Sequence, residues 1–385
     1  IPVHLGALGM CVRSVTKGHS WKPGEMVVTN HPGFGGSHLP DVTIICPIFS
    51  DTEELLSFLV NRAHHAEMGG IAPGSMPSSA MSLAEEGVVI PPMQIMVSNS
   101  LEIQGIELLL TEGPFPSRRI QENLADLKAQ VAANLKGLKD MQNLVQKFGS
   151  SIISHYMKAI QDRAENSLRS KLLRQKDGEY VAEQRLDDGT FLKVVATVDG
   201  DAMKLKFFDG GGVHSGNFNA TPGIVYSAVV YFLRVWLNEP MPLNDGLLRP
   251  VGIYIDDGLL NPPFSEDPFQ CPPVVAGNVE TSQRLVDTLL LLFDTVACSQ
   301  GTMNNLIFGN DRVSFYETIA GGAGAGEGFD GESGVHVHMT NTGITDPEIL
   351  EHLYPVKLRK FAIRENSGGQ GKYTGGDGVI RELES

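Results

Sequence analysis

Short apolar blocks separated by turn residues dominate the first hundred residues, and a helical rhythm replaces them further on. Residues 42–49 form a β-branched apolar run, 50–54 are polar and turn-like, and 55–60 are apolar again, which predicts an antiparallel hairpin preceded by a short strand over 25–29. Pairing Phe49 with Leu55 in that hairpin sets Asp41 opposite Ala63. From about 121 to 173 the apolar residues Leu124, Leu127, Val131, Leu135 and Leu138 recur at steps of three and four with charges between them, the pattern of an amphipathic helix. Gly149 is the expected stop, with Ser150 or Ser151 capping a second helix. Strands return at 191–198 and 202–208 around an Asp199-Gly200 turn, and at 251–255. Apolar helices are expected over 224–237 and over 285–296, the latter capped by Thr281 or Ser282. The pattern predicts an α+β protein of mixed β-sheets with covering helices and more than one domain. The expected boundaries give an α+β region over 1–116, a helical section over 117–175 and a second α+β domain with Gly-rich loops over 176–385.

Composition narrows the partners. The chain has 385 residues and a formal net charge of −15, which argues against nucleic acid or an anionic membrane surface as a partner. The longest apolar runs, 224–237 and 285–298, are interrupted by Arg234, Asp287 and Asp294 and are too short to span a bilayer. Four widely spaced cysteines, Cys11, Cys46, Cys271 and Cys298, form no CxxC pair, so buried thiols in a cytoplasmic protein are expected. The chain opens on Ile1-Pro2-Val3-His4 with no signal-peptide pattern, and truncation at both ends is the expectation.

Candidate chemistry concentrates at the mouth of the first hairpin. His38 and Asp41 enter it at the end where His64 and His65 leave it, and this places a metal site on the N-terminal β-hairpin. Imidazole nitrogen and carboxylate oxygen suit a divalent first-row cation (Mn, Fe or Zn), with positions left open for water or substrate. Structural histidines in a Gly/Pro-rich turn explain the same letters without a metal. The Gly-rich run 321–328 lacks the Gly-Lys-Ser/Thr ending of a P-loop and no Gly-x-Ser-x-Gly elbow is present, so neither nucleotide binding of that type nor a serine nucleophile is indicated. His336 and His338 stand two apart in an expected strand and rank behind the first cluster.

The strings GGSHLPDV, RAHHAEMGG and PGSMP resemble the hydantoinase B family, which includes the C-terminal half of ATP-dependent 5-oxoprolinase and is related to acetone and acetophenone carboxylase subunits. Further matches at 124–137, 276–284, 299–310, 317–331, 337–342 and 367–383 carry the resemblance along the whole chain. It implies a metal-dependent subunit of an ATP-dependent cyclic amidohydrolase that opens a hydantoin, N-methylhydantoin or 5-oxoproline ring, in an oligomer with a hydantoinase A-like partner that uses ATP. On this reading His38, Asp41 and His64 hold the metal, and His65 and Glu67 move protons. Adjacent residues of a strand face opposite ways, so His64 rather than His65 is the expected ligand. Asn278, Glu280 and Arg284, in the AGNVETSQR string, are the expected substrate-binding residues. A ketone carboxylase subunit on the same scaffold and a non-catalytic assembly subunit are the alternatives.

Overall fold

The computed structural model describes residues 2–50, 52–309, 314–340 and 342–385. The chain is α+β, with several sheets and covering helices. A 3-10 turn, Pro2–His4, leads into helix α1 (Ala7–Thr16). Strand β1 (Met26–Thr29) then pairs antiparallel with β2 (Asp41–Phe49), and β2 pairs with β3 (Leu55–His64). After the one-turn helix α2 (Leu83–Glu86), strands β4 (Met93–Val97) and β5 (Ser100–Leu101) complete a five-stranded sheet of order β3-β2-β1-β4-β5.

Helix α3 (Gln104–Glu112) and the long α4 (Ile120–Phe148) cover that sheet, and Leu124, Leu127 and Val131 of α4 share a core with Val42, Ile44 and Cys46 of β2. Helix α5 (Ser150–Leu172) follows Gly149 directly. Gly149 holds φ +82 and its N–H closes on the Val145 carbonyl, but no Ser150 or Ser151 side chain caps α5.

The second large sheet has the order β6-β7-β8-β9 and is built from β6 (Gly178–Arg185), β7 (Phe191–Asp199), β8 (Ala202–Phe208) and β9 (Val251–Ile255). Its β8–β9 pair is parallel, with α6 (Pro222–Leu237) in the connection. Along β7 and β8 buried and exposed residues alternate, so one face packs on α6 and α7 (Ser282–Leu291) in the largest apolar core. Three hairpins end the described chain. They pair β10 (Asn304–Gly309) with β11 (Ser314–Ile319), β12 (Gly321–Gly322) with β13 (Ser333–Val335), and, after α8 (Pro347–Leu353), β14 (Lys357–Ile363) with β15 (Val379–Glu384).

Several glycines of the last hundred residues, Gly322, Gly324, Gly331, Gly368 and Gly376 among them, pack backbone on backbone. A Cβ at Gly322 would stand 1.9 Å from the Gly376 carbonyl oxygen, and one at Gly324 would stand 2.0 Å from that of Ala297. His336 and His338 lie beyond the end of β13, so they are not two positions of one strand. His338 instead has φ +54 and sets its Nε2 3.2 Å from Asp287. All four cysteines are free thiols. Among the described residues, no helix is long and apolar enough to cross a membrane.

Glu86 ties the first sheet region to the second. It is buried, and its Oε1 accepts the Val274 and Val275 N–H groups at 2.9 and 2.8 Å while Oε2 has no partner. Burial pushes its carboxyl pKa from the ordinary value up to about 8. The folded state therefore holds a proton that the unfolded chain has shed between about pH 4.5 and 8, and stability falls as pH rises through that window. Glu86→Gln should flatten this loss, so its Tm relative to the natural chain should climb from pH 5 to pH 9 in calorimetry. A difference that stays constant with pH would show that Glu86 is ionised in the fold.

Candidate functional site

The loop between β1 and β2 is held from both sides. The Asn30 amide donates to the Leu39 and Val88 carbonyls (2.8 and 2.9 Å) while its Oδ1 accepts the Ile90 N–H, and Thr221 Oγ1 donates to the Gly36 carbonyl. Gly35 turns through φ +85 and presses on Cys11 of α1, where a Cβ would meet backbone at 2.6 Å. These ties fix where Ser37, His38 and Asp41 point.

Asp41 is fully buried. Its Oδ2 accepts from Ser37 Oγ and lies 2.9 Å from His38 Nδ1, and its Oδ1, which has no hydrogen bond, lies 3.4 Å from His4 Nε2. Desolvation favours the neutral acid, but His4, His38 and His64 around it outweigh that and hold the carboxyl well below its usual range. His4 is 37 residues away in sequence. It arrives because Gly6 packs on the α6 backbone at Tyr226, and Ser227 Oγ accepts the N–H groups of Gly6 and Ala7. Burial lowers the His4 pKa to about 4, which leaves it neutral at pH 7.

Across the hairpin Asp41 pairs with His64, not with Ala63 as the sequence pattern suggested. Phe49 does face Leu55, but Ile48 faces Ser57, so a β-bulge absorbs one residue and shifts the rest of β3. The shift matters because one residue of slip turns every side chain to the other face. It sets His64 Nε2 3.3 Å from His38 Nε2. The His64 ring stacks on Tyr316 of β11 at 5.8 Å. Desolvation and then the neighbouring His38 hold its pKa below the ordinary value.

His65 and Glu67 lie apart from this pair, buried and with their polar atoms engaged. His65 Nε2 meets Gln130 Oε1 at 3.1 Å and its Nδ1 meets the Asn123 amide at 3.2 Å, both from α4. Gln130 also donates to the Val42 carbonyl and to Asn61, so α4 clasps the hairpin through amides. Glu67 accepts from the N–H groups of Gly69 and Gly74 and from Arg118, which shapes the loop after β3. Gly69 and Gly70 hold φ +84 and +90 there against neighbouring backbone. The polar atoms of both residues, expected to move protons, are thus engaged in hydrogen bonds to α4 and to the loop after β3.

Glu280 and Arg284 line a cavity of about 520 Å³ beside Asn305 and Ile307 of β10. Asn278, the third expected substrate residue, lies buried next to it, with Oδ1 unpartnered and its backbone carbonyl accepting from Ser282. Neither Thr281 nor Ser282 caps α7. A π-helical turn, Gly277–Thr281, precedes it instead, and the Thr281 hydroxyl donates to the Phe218 carbonyl. Tyr316, which stacks on His64, donates its hydroxyl to Asn305 Oδ1 on the cavity wall at 3.0 Å. Next to Tyr316 in β11, Glu317 forms an ion pair with Arg381 of β15 at 2.6 Å with both side chains buried.

Among the described residues no group of three His, Cys, Asp or Glu side chains is arranged to hold a metal ion, so the expected set of His38, Asp41 and His64 is not formed as a ligand triad. The spacing of the imidazole pair alone does match two ligand positions. Two nitrogens at about 2.05 Å from a tetrahedral cation stand about 3.3 Å apart, the separation of His38 Nε2 and His64 Nε2. Asp41, on the Nδ1 side of His38, takes the place of the carboxylate that orients a ligating histidine. Its orphaned, buried Oδ1 adds a negative charge that a cation would compensate.

A family model described as Hydantoinase B/oxoprolinase matches residues 1–385. The chain is 43% identical over 413 residues to 5-oxoprolinase 1 of Arabidopsis thaliana, covering all of this chain and 32% of that protein. It spans about a third of the length of the first curated relatives it matches. Its fold is that of a chain of the ATP-dependent caprolactamase from Pseudomonas jessenii, at TM-score 0.88 and 24% identity, covering 100% of this chain and 69% of that one. It is also that of acetone carboxylase in a nucleotide-free structure, at TM-score 0.81 and 17% identity, covering 98% and 54%.

Removing the His65 ring strands two buried amides. His65→Ala should cost about 2–3 kcal/mol of unfolding free energy in urea melts, and His65→Asn should recover part of it. An unchanged midpoint would show that the clasp between α4 and β3 contributes nothing.

Proposed function

The chain belongs to the hydantoinase B/oxoprolinase family, and on that premise we propose that it completes the opening of a cyclic amide ring at a divalent metal centre, after a hydantoinase A-like partner or domain has activated the ring with ATP. The observation that carries this reading is the facing pair of imidazole nitrogens over a buried carboxylate. His38 Nε2 and His64 Nε2 would hold the metal, and imidazole ligands would suit Mn, Fe or Zn. Asp41 orients His38 through Nδ1 and supplies negative charge, and Ser37 holds Asp41 in turn. The chemistry such a metal would supply here is activation of a water molecule and polarisation of the ring carbonyl.

The remaining groups serve this centre. His4, neutral and beside Asp41 Oδ1, is placed to take up or release a proton at Nε2. His65 and Glu67 keep the hairpin end and the following loop in shape. The cavity lined by Glu280 and Arg284 receives the substrate. Relatives named 5-oxoprolinase at above 40% identity favour the lactam over a ketone, since the acetone carboxylase likeness is one of fold alone.

The protein should copurify with a first-row divalent metal. His64→Ala should abolish metal content in elemental analysis, whereas His65→Ala should keep it while lowering stability. Metal lost only in the His65 variant would overturn the ligand assignment, and a metal-free protein with chelator-resistant activity would overturn the centre itself. The chain assayed alone should hydrolyse no ATP; substrate-dependent ATPase activity from it would refute the division of labour with a partner.

A further inference from the structure

The hairpin of β10 and β11 comes to the site from late in the chain, and its two faces do different work. In the register that pairs Asn305 with Thr318, Ile307 with Tyr316 and Phe308 with Phe315, alternate residues fall on opposite sides. One side is anchored. Phe315 packs on Phe308 and Tyr354 at ring separations of 4.6 and 4.9 Å, and Glu317 pairs with Arg381 and accepts the Thr345 N–H at 2.9 Å. The other side carries Asn305, Tyr316 and Thr318, which bond one another. Both hydroxyls donate to Asn305 Oδ1 at 3.0 Å and stand 3.2 Å apart. The Tyr316 ring is therefore held at its hydroxyl by the paired strand and at its base by an anchored one.

His64 has the opposite character. It is the last residue of β3, and among the described residues its ring has a single hydrogen-bond contact, His38 Nε2 at 3.3 Å. The torsion that sets the plane of an imidazole is broad and roughly twofold, so the side chain does not fix its own ring. Tyr316 supplies the missing restraint. Its ring lies against that of His64 at a centroid distance of 5.8 Å and an angle of 22°, an offset stack. A swing of the imidazole about that torsion would break the stack and carry Nε2 away from His38.

We propose that Tyr316 is a positioning residue that sets the plane of the His64 imidazole and so keeps its Nε2 directed at His38 Nε2. The use of that hold in catalysis rests on the reading of the His38 and His64 pair as the ring-opening centre, whereas the hold itself does not.

The test is nuclear magnetic resonance of the full chain labelled at histidine, with zinc binding measured by calorimetry on the same samples. In the natural chain the His64 ring protons should carry the upfield shift that a stacked aromatic ring imposes. Tyr316→Ala and Tyr316→Leu should abolish that shift and weaken zinc binding by about threefold to tenfold, the worth of one aromatic pair. Tyr316→Phe should keep the shift and most of the affinity, since the stack needs the ring and not the hydroxyl. His65, bonded to Asn123 and Gln130 of α4, should keep its resonances in every variant, which separates the loss of one restraint from a general loosening. A His64 spectrum or a zinc affinity unchanged by Tyr316→Ala, a Phe variant no better than the Ala one, or His65 moving together with His64 would overturn the proposal. If the shift follows the expected pattern but the natural chain binds no zinc, the metal centre falls and the hold of Tyr316 on His64 stands.

Discussion

A carboxylate with no access to water must be answered by the groups around it, or it gives up its charge. Asp41 is that group here. Ser37 and His38 come from the preceding loop, His64 from across the hairpin and His4 from the start of the chain. Each is held by a separate element: Asn30 and Thr221 for the loop, the α4 amides for the hairpin, and α6 for the first turn. Much of the first half of the fold can be read as the framework that one buried charge requires.

Where periodicity or turn chemistry was strong, the sequence foretold the structure well. The hairpin, the α4–α5 break at Gly149, the Asp199-Gly200 turn and the apolar helix α6 all stand where the pattern put them. The meeting of His38, Asp41 and His64 was also legible, because a hairpin brings its two ends together whatever its detailed register. The register itself was not, since a bulge between two apolar strands leaves no mark in the alternation.

What the sequence hid was tertiary. His4 joins the site by packing of Gly6 on α6, and Tyr316 joins it from a hairpin some 250 residues beyond His64. No local signal separates such residues from others of their kind. The surroundings of His65 and Glu67 were hidden for the opposite reason. Their closeness in sequence to an expected ligand suggested chemistry, whereas the fold turns His65 to Asn123 and Gln130 of α4 and Glu67 to the loop after β3.

The glycines near the end of the chain carry a consequence for how this protein can change over time. Gly322 and Gly324 touch main-chain atoms, which cannot rotate aside as a side chain can. A single replacement at either demands a shift of the facing backbone, at Gly376 or at Ala297, so each site resists change one residue at a time. Variation at these two positions therefore calls for movement of whole loops or for simultaneous changes on both sides of the contact.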